Sequence, residues 1–429
     1  MFKIFANAWK VKDIRKKLLF IFLILLIFRI GSHIPLPGID LMALDFLLQR
    51  GDMGGEMNIF ALIMGGGTGS IFAMGIAPYI TASIIMQLLT VAIPKLEQLQ
   101  KEGEEGRKKI GQITRILAVA LAVVQGSATV YSYRFALDGQ SLFHYNNFFV
   151  YSVAVIAMVT GTILVMWMGE LLTEKGIGNG ASFIIFANII SSLPMGVMAL
   201  YGMVAPGADN IPMGWVTIIV ILILFVVMIG FVVLVHGGER RIPVQYSRKM
   251  VGKQMYGNNA SFIPIKVNIA GVMSIIFAIS LLQFPQQLLG FFPNNTILAS
   301  ITNILSLRSF SGAGIYVVLI FMFTFFYTSF AVNPVEMAEN MKKNGGFIPG
   351  IRPGKPTSEY IQKTVDRMSW IGAFFYALIA IAPILFEIFS GAPMGFGGTT
   401  LLIVTGVALE FVKALESQLL MRHYKGFLK

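Results

Sequence analysis

The feature that most constrains this chain is a repeated one: apolar stretches, each about as long as a helix needs to cross a bilayer, follow one another from end to end. A span takes about 20 mostly apolar residues. Ten stretches meet that rule, near residues 18 to 36, 71 to 93, 111 to 133, 148 to 169, 181 to 203, 214 to 236, 265 to 288, 312 to 332, 368 to 390 and 399 to 418. A length of 429 residues would otherwise allow several soluble domains, but a chain that is 56% hydrophobic and only 13% charged does not build them. In lipid each backbone polar group must be satisfied within its own segment. The expected fold is therefore an all-α polytopic membrane protein, and an even number of spans leaves both termini on one side.

The basic residues say which side. Segments flanking alternate span ends hold Lys3, Lys10, Lys12, Arg15, Lys16 and Lys17, then six more between 95 and 115, Lys175, six between 240 and 266, six between 342 and 367, and four from Lys413 onward. The opposite face has only Arg50, Arg134 and Arg308, and Arg29 falls within the first span. Cytoplasmic loops retain an excess of Lys and Arg, so both termini are expected in the cytoplasm. The start, MFKIFANAWKVKDIRKK followed by LLFIFLILLIF, has the charged and apolar regions of a signal peptide but no small-residue cleavage site, and it reads as a retained first span.

The polar stretch MVAPGADNIPMG near 203 to 214 separates five spans from five, giving halves 1–205 and 206–429. An odd number per half makes the second half enter the membrane inverted, an architecture common among transporters; five plus five by coincidence is the other reading. MNIFALIMGGGTGS, 57 to 70, is too short to cross before its glycines break it. Irregular backbone at membrane depth survives only where protein buries it or a cavity holds it, which leaves a re-entrant helix or a loop outside the membrane.

Catalytic signatures are missing. The four histidines are scattered, no HExxH or GxxxxGK[ST] occurs, and the absence of cysteine excludes thiol chemistry. Neither a cofactor nor a metal is expected. GIGNGA, 176 to 181, matches GxGxxA, but that fingerprint has meaning only after a strand in a βαβ unit; between two spans it reads as a tight turn. A secondary transporter is the stronger rival, yet such proteins place ionisable residues near the midplane, and here Glu170, Glu387 and Glu410 lie toward span ends. Isoleucine instead recurs in GIAPYITASIIMQ, ASFIIFANII, AGVMSIIFAI and TTLLIVTG. A ring of such side chains forms a gate that works by dewetting, although ordinary packing also accounts for any one of them. Two long basic loops, 236–266 and the one containing GGFIPGIRPGKP, exceed ordinary connections and offer an electrostatic docking surface.

Taken together, FRIGSHIPLPGID, GIAPYITASIIMQLL, KEGEEGRKKI, GERRIPVQY, KVNIAGV, AVNPVEMAENMKK, GGFIPGIRPG and FGGTTLLIV make the chain resemble, along essentially its whole length, the SecY/Sec61-alpha family of Sec protein-translocation channels. The resemblance implies two inverted five-helix halves around an hourglass pore that conducts unfolded secretory polypeptide across the cytoplasmic membrane and releases signal sequences and membrane spans sideways into lipid. It implies no enzymatic activity. By motif position the pore ring would be Ile76, Ile80, Ala181, Ile185, Ile276 and Ile403, with Ala181 where isoleucine is common. Asn58, Ile59, Phe60, Ala61, Leu62, Ile63 and Met64 would form a plug helix, and Thr81, Gln125 and Asn268 the polar cluster of a lateral gate. Arg240, Arg241, Arg248, Lys249, Lys253, Arg352 and Lys355 would dock the motor ATPase SecA and the ribosome, with Gln254 where some relatives have a second arginine. SecE and SecG would be the small subunits beside it.

Overall fold

The computed structural model describes residues 2–40, 42–43, 69–134, 141–202, 214–246, 249–251, 254–256, 261–267, 269–289, 295–307, 309–390 and 398–426. In chain order the elements are α1 (Phe2–Lys10), α2 (Lys12–Gly31), α3 (Ala77–Ala92), α4 (Pro94–Lys101), α5 (Glu104–Arg134), α6 (Phe148–Lys175), α7 (Gly180–Gly202) and α8 (Gly214–Gly237). There follow β1 (Glu239–Tyr246), β2 (Lys249–Val251), β3 (Gln254–Tyr256), β4 (Ser261–Lys266), α9 (Met273–Leu289), α10 (Thr296–Leu305), α11 (Phe310–Ala331), α12 (Pro334–Lys343), β5 (Gly346–Phe347), α13 (Lys355–Ser390) and α14 (Gly398–Gly426).

Each of the ten span-length stretches is carried in large part by one of these helices, although that at 265 to 288 begins in β4 and that at 71 to 93 begins six residues ahead of α3. Among the described residues, five helical stretches are each long and apolar enough to cross a bilayer unaided: Glu104–Arg134, Phe148–Lys175, Ile219–Gly237, Phe310–Lys343 and Lys355–Phe386. The pair α3 and α4 passes the same test as one broken span, turning by 101° at Ile93 just before Pro94. Proline removes a helical donor; it stands inside α7 (Pro194), α9 (Pro285) and α13 (Pro383), where packed neighbours in a membrane helix compensate the freed carbonyls.

The chain divides into two units, Met1–Asn210 with Ser280–Ser309 and Val407–Lys429, and Ile211–Ile279 with Phe310–Gly406. In the first, α5 packs between α3 and α6, α6 continues onto α7, and α2 lies against α6 and α7. The segment after α2 is stitched to its surroundings by backbone bonds: Leu36 N donates to Gly69 O at 2.8 Å and Asp40 N to Leu142 O at 2.9 Å. Beneath it sit Leu36, Ile39, Met74, Tyr133, Leu142, Phe143 and Met158, all buried.

The second unit holds a three-stranded antiparallel sheet in the order β4-β1-β5. β1 pairs with β4 from Glu239↔Lys266 to Val244↔Ser261, then with β5 through Gln245↔Phe347 and Tyr246↔Gly346. Along β1 the residues alternate, Ile242 and Val244 buried and Arg241, Pro243 and Gln245 exposed, the period of a strand with one face on a core. That core is Ile242, Val244, Ile265, Met341, Ile348, Ile361 and Val365. It fastens the sheet to α12 and to the polar first turns of α13, which extend well ahead of that helix's apolar stretch.

Candidate functional site

The pore positions fall on faces with helical spacing. Ile76 caps the start of α3 and Ile80 lies one turn on, at 1% and 7% exposure; Ala181 and Ile185 have the same spacing at the start of α7, and Ile185 is buried. Residues four apart share a helix face. The turn between α6 and α7 is tightly built. Gly178 has φ +86°, and Thr173 Oγ1 accepts a hydrogen bond from Gly180 N at 2.8 Å. A Cβ on Gly180 would lie 2.0 Å from Gly169 O. On Gly169 itself a Cβ would meet Ile76 Cδ1 at 3.3 Å, Ile184 Cδ1 at 3.4 Å and Ala181 N at 3.8 Å. GIGNGA is thus the tight turn read from the sequence, while Gly169 on α6 leaves the room that Ile76 and Ile184 approach. Ile184 belongs to that contact and was not picked out in the sequence, where its neighbour Ile185 carried the motif.

In the second unit Ile276 on α9 and Ile403 on α14 are buried, at 3% and 1% exposure. Each stands about one turn from a close approach: a Cβ on Gly406 would fall 2.5 Å from Val272 Cγ2. All five isoleucines of the proposed ring are therefore buried, and Ala181 is half-buried. The expected plug, Asn58 to Met64, lies outside the described residues, as does Asn268 of the gate.

Of the gate cluster, Thr81 is internally satisfied, its hydroxyl donating to Ala77 O at 3.1 Å, as hydroxyls inside helices commonly do. Gln125, on the neighbouring α5, is different. It is 7% exposed and its Nε2 is buried without a hydrogen-bond partner among the described residues. A buried amide donor left unmade costs about 1–3 kcal/mol.

The residues expected to dock a partner, where described, share one platform. Arg240 and Arg241 project from β1, Arg352 and Lys355 from the loop and helix start after β5, and all are exposed. The sheet therefore joins two loops about a hundred residues apart in sequence. Arg241 is held by Glu239 at 2.6 Å and its guanidinium lies 4.8 Å from the centre of the Phe262 ring. Around Arg352 the turn is set by glycines of positive φ, Gly350 (+80°) and Gly354 (+106°), which suit a backbone that side chains resist. Buried Thr357 donates from Oγ1 to Arg352 O at 2.9 Å. Lys249 lies on β2; Arg248 and Lys253 are outside the described residues. Thr357 escaped sequence reasoning because it looks like any helix-start threonine.

Among the residues whose burial is described no Asp, Glu, Lys or Arg is buried, and Glu387 lies outside that set; no group of His, Asp or Glu among the described residues is arranged to hold a metal. Glu170, just past the apolar stretch of α6, is paired across helices with Arg115 at 2.6 Å, both partly exposed, and Glu410 on α14 is exposed. Arg29 sits exposed in the last turn of α2, where a cation is favoured by the helix dipole.

Solved structures share this fold. A SecY structure whose plug domain is described as stabilising the closed state of the translocation channel matches with a TM-score of 0.67 and 18% identity, over 93% of this chain and 91% of that one. Sec61 in the canine ribosome-channel complex from the endoplasmic reticulum matches with a TM-score of 0.63 and 16% identity, at 93% and 91% coverage. The fold is that of a protein-conducting membrane channel. The SecY family model matches residues 70–412, and the protein translocase subunit SecY of Streptomyces scabiei is 43% identical over 446 residues, covering all of both chains. The chain belongs to the SecY family, and it is the channel-forming kind of translocase subunit.

Proposed function

We propose that this chain passes unfolded polypeptide between two inverted five-span halves, 1–205 and 206–429, through a constriction formed by Ile76, Ile80, Ala181, Ile185, Ile276 and Ile403. The observation that carries this reading is that no Asp, Glu, Lys or Arg is buried among the residues whose burial is described. Ion-coupled carriers keep such groups at the midplane, whereas an apolar waist holds back ions by dewetting. A plug at 58–64 completes the seal. Thr81, Gln125 and Asn268 line the seam through which signal helices leave for lipid, and Gln125 Nε2 finds its acceptor there.

Both termini and the sheet platform face the cytoplasm, as the distribution of basic residues favours. The sequence contains no GxxxxGK[ST] motif, and the platform receives an engine: SecA for secreted precursors and the ribosome for nascent membrane proteins, the latter in keeping with the ribosome-bound relative. SecE and SecG stand beside it in the cytoplasmic membrane, and the chain itself performs no catalysis. Reconstituted with those subunits in proteoliposomes, it translocates a secretory precursor only with motor and ATP present. Motor-independent uptake of a small solute would support a secondary transporter instead.

A further inference from the structure

The helix α1 stands apart from everything used so far. At helical spacing Phe2, Phe5 and Trp9 fall on one line with Ile4 and Ala8 beside it, and Lys3, Asn7 and Lys10 fall opposite. Ala8 is fully buried, yet the adjacent Trp9 is 53% exposed, and Asn7 and Lys10 are exposed on the polar side. At Val11 the backbone becomes extended (φ −86°, ψ 111°), and α2 opens with Lys12, Arg15 and Lys16 exposed. Farther along α2 an uncovered stripe of Phe22, Leu23, Leu26 and Ile30 continues as far as the helix end.

We infer that α1 is an interfacial anchor that seats the amino-terminal end of the chain on a leaflet rich in anionic phospholipid. Two observations select lipid over a protein occupant. The half-exposed tryptophan stands on a helix in contact with α2, whose exposed apolar side chains begin two turns into that helix, and tryptophan concentrates at the membrane–water boundary. The six basic residues from Lys3 to Lys17 crowd around that boundary, where each Lys or Arg near an anionic surface strengthens binding about fivefold. An amphipathic helix with cations on one face and aromatic residues on the other lies in the plane of the interface. The inference rests on the membrane reading and on the side assigned to the termini.

The chain has no cysteine, so one introduced thiol reports without background. Single variants Asn7→Cys, Trp9→Cys and Leu26→Cys of the full-length protein, spin-labelled and placed in nanodiscs of phosphatidylcholine with or without phosphatidylglycerol, are compared for collision with oxygen and with a water-soluble nickel chelate. The label at 26 is the control for membrane insertion; a water-exposed label there would defeat the membrane reading itself. With that control lipid-exposed, the expected result is a label at 9 that favours oxygen and a label at 7 that favours nickel. The immersion at 9 deepens with phosphatidylglycerol and is lost when Lys10, Lys12 and Lys16 are replaced by glutamate. A label at 9 as wet as that at 7, one shielded from both reagents by protein, or one indifferent to lipid charge would overturn the inference.

Discussion

At the scale of single residues, the site depends on groups that are small or that point inward. Gly180 has a backbone oxygen where a methyl would go, 2.0 Å away, so Gly180→Ala is expected to destabilise the purified protein by about 1–3 kcal/mol through overpacking. Gly111, inside α5 with nothing within 4 Å of its would-be Cβ, is the contrast: Gly111→Ala should leave stability unchanged or raise it by up to about 1 kcal/mol. Thermal unfolding in detergent distinguishes them, and equal melting points would contradict the packing at the α6–α7 turn. Thr357 is a positioning residue for Arg352. Thr357→Val keeps the shape but removes a bond worth about 1 kcal/mol, and it should slow motor-driven transport, with Thr357→Ser restoring it. Reversing the charge at Arg352 should abolish that transport while leaving the melting point alone. If Thr357→Ser is as slow as Thr357→Val, the hydroxyl is not what orients the loop. Arg352 was legible in the sequence because a basic, glycine- and proline-rich loop between two spans is conspicuous. Thr357 was not, since its bond to Arg352 O reaches across five residues that periodicity leaves blank.

At the scale of elements, hydropathy carried most of the information. Each apolar stretch became helix because segments that cannot meet water must close their hydrogen bonds locally. The polar beginnings of α13 and the whole of α4 were less legible, as amphipathic turns outside the bilayer have weak signals. The sheet was missed outright: the alternation in ERRIPVQY is the period of a half-buried strand, but it is brief and its cationic residues drew attention to charge. Pairing of β1 with β5, far off in the chain, leaves no local trace at all. One consequence is testable. Ile361, fully buried under the sheet, should cost about 2–5 kcal/mol on truncation to alanine, and amide exchange should then accelerate in β1, β4 and β5 together. Acceleration confined to α13 would mean that the two basic loops are not one body.

At the scale of the whole molecule, no Asp, Glu, Lys or Arg is buried among the residues whose burial is described. Exchanging Ile80 and Ile276 for asparagine should therefore raise ion leak through the resting channel in planar bilayers, without lowering precursor transport. Unchanged conductance would place the seal elsewhere. The most direct measurement uses the cysteine-free background once more: a precursor arrested in transit is crosslinked to single thiols at positions 80, 185, 276 and 403, with exposed positions 23 and 156 as lipid-facing references. The account predicts adducts at all four buried positions and none at the two references. A stalled precursor that labels the references while sparing the isoleucine positions would contradict it.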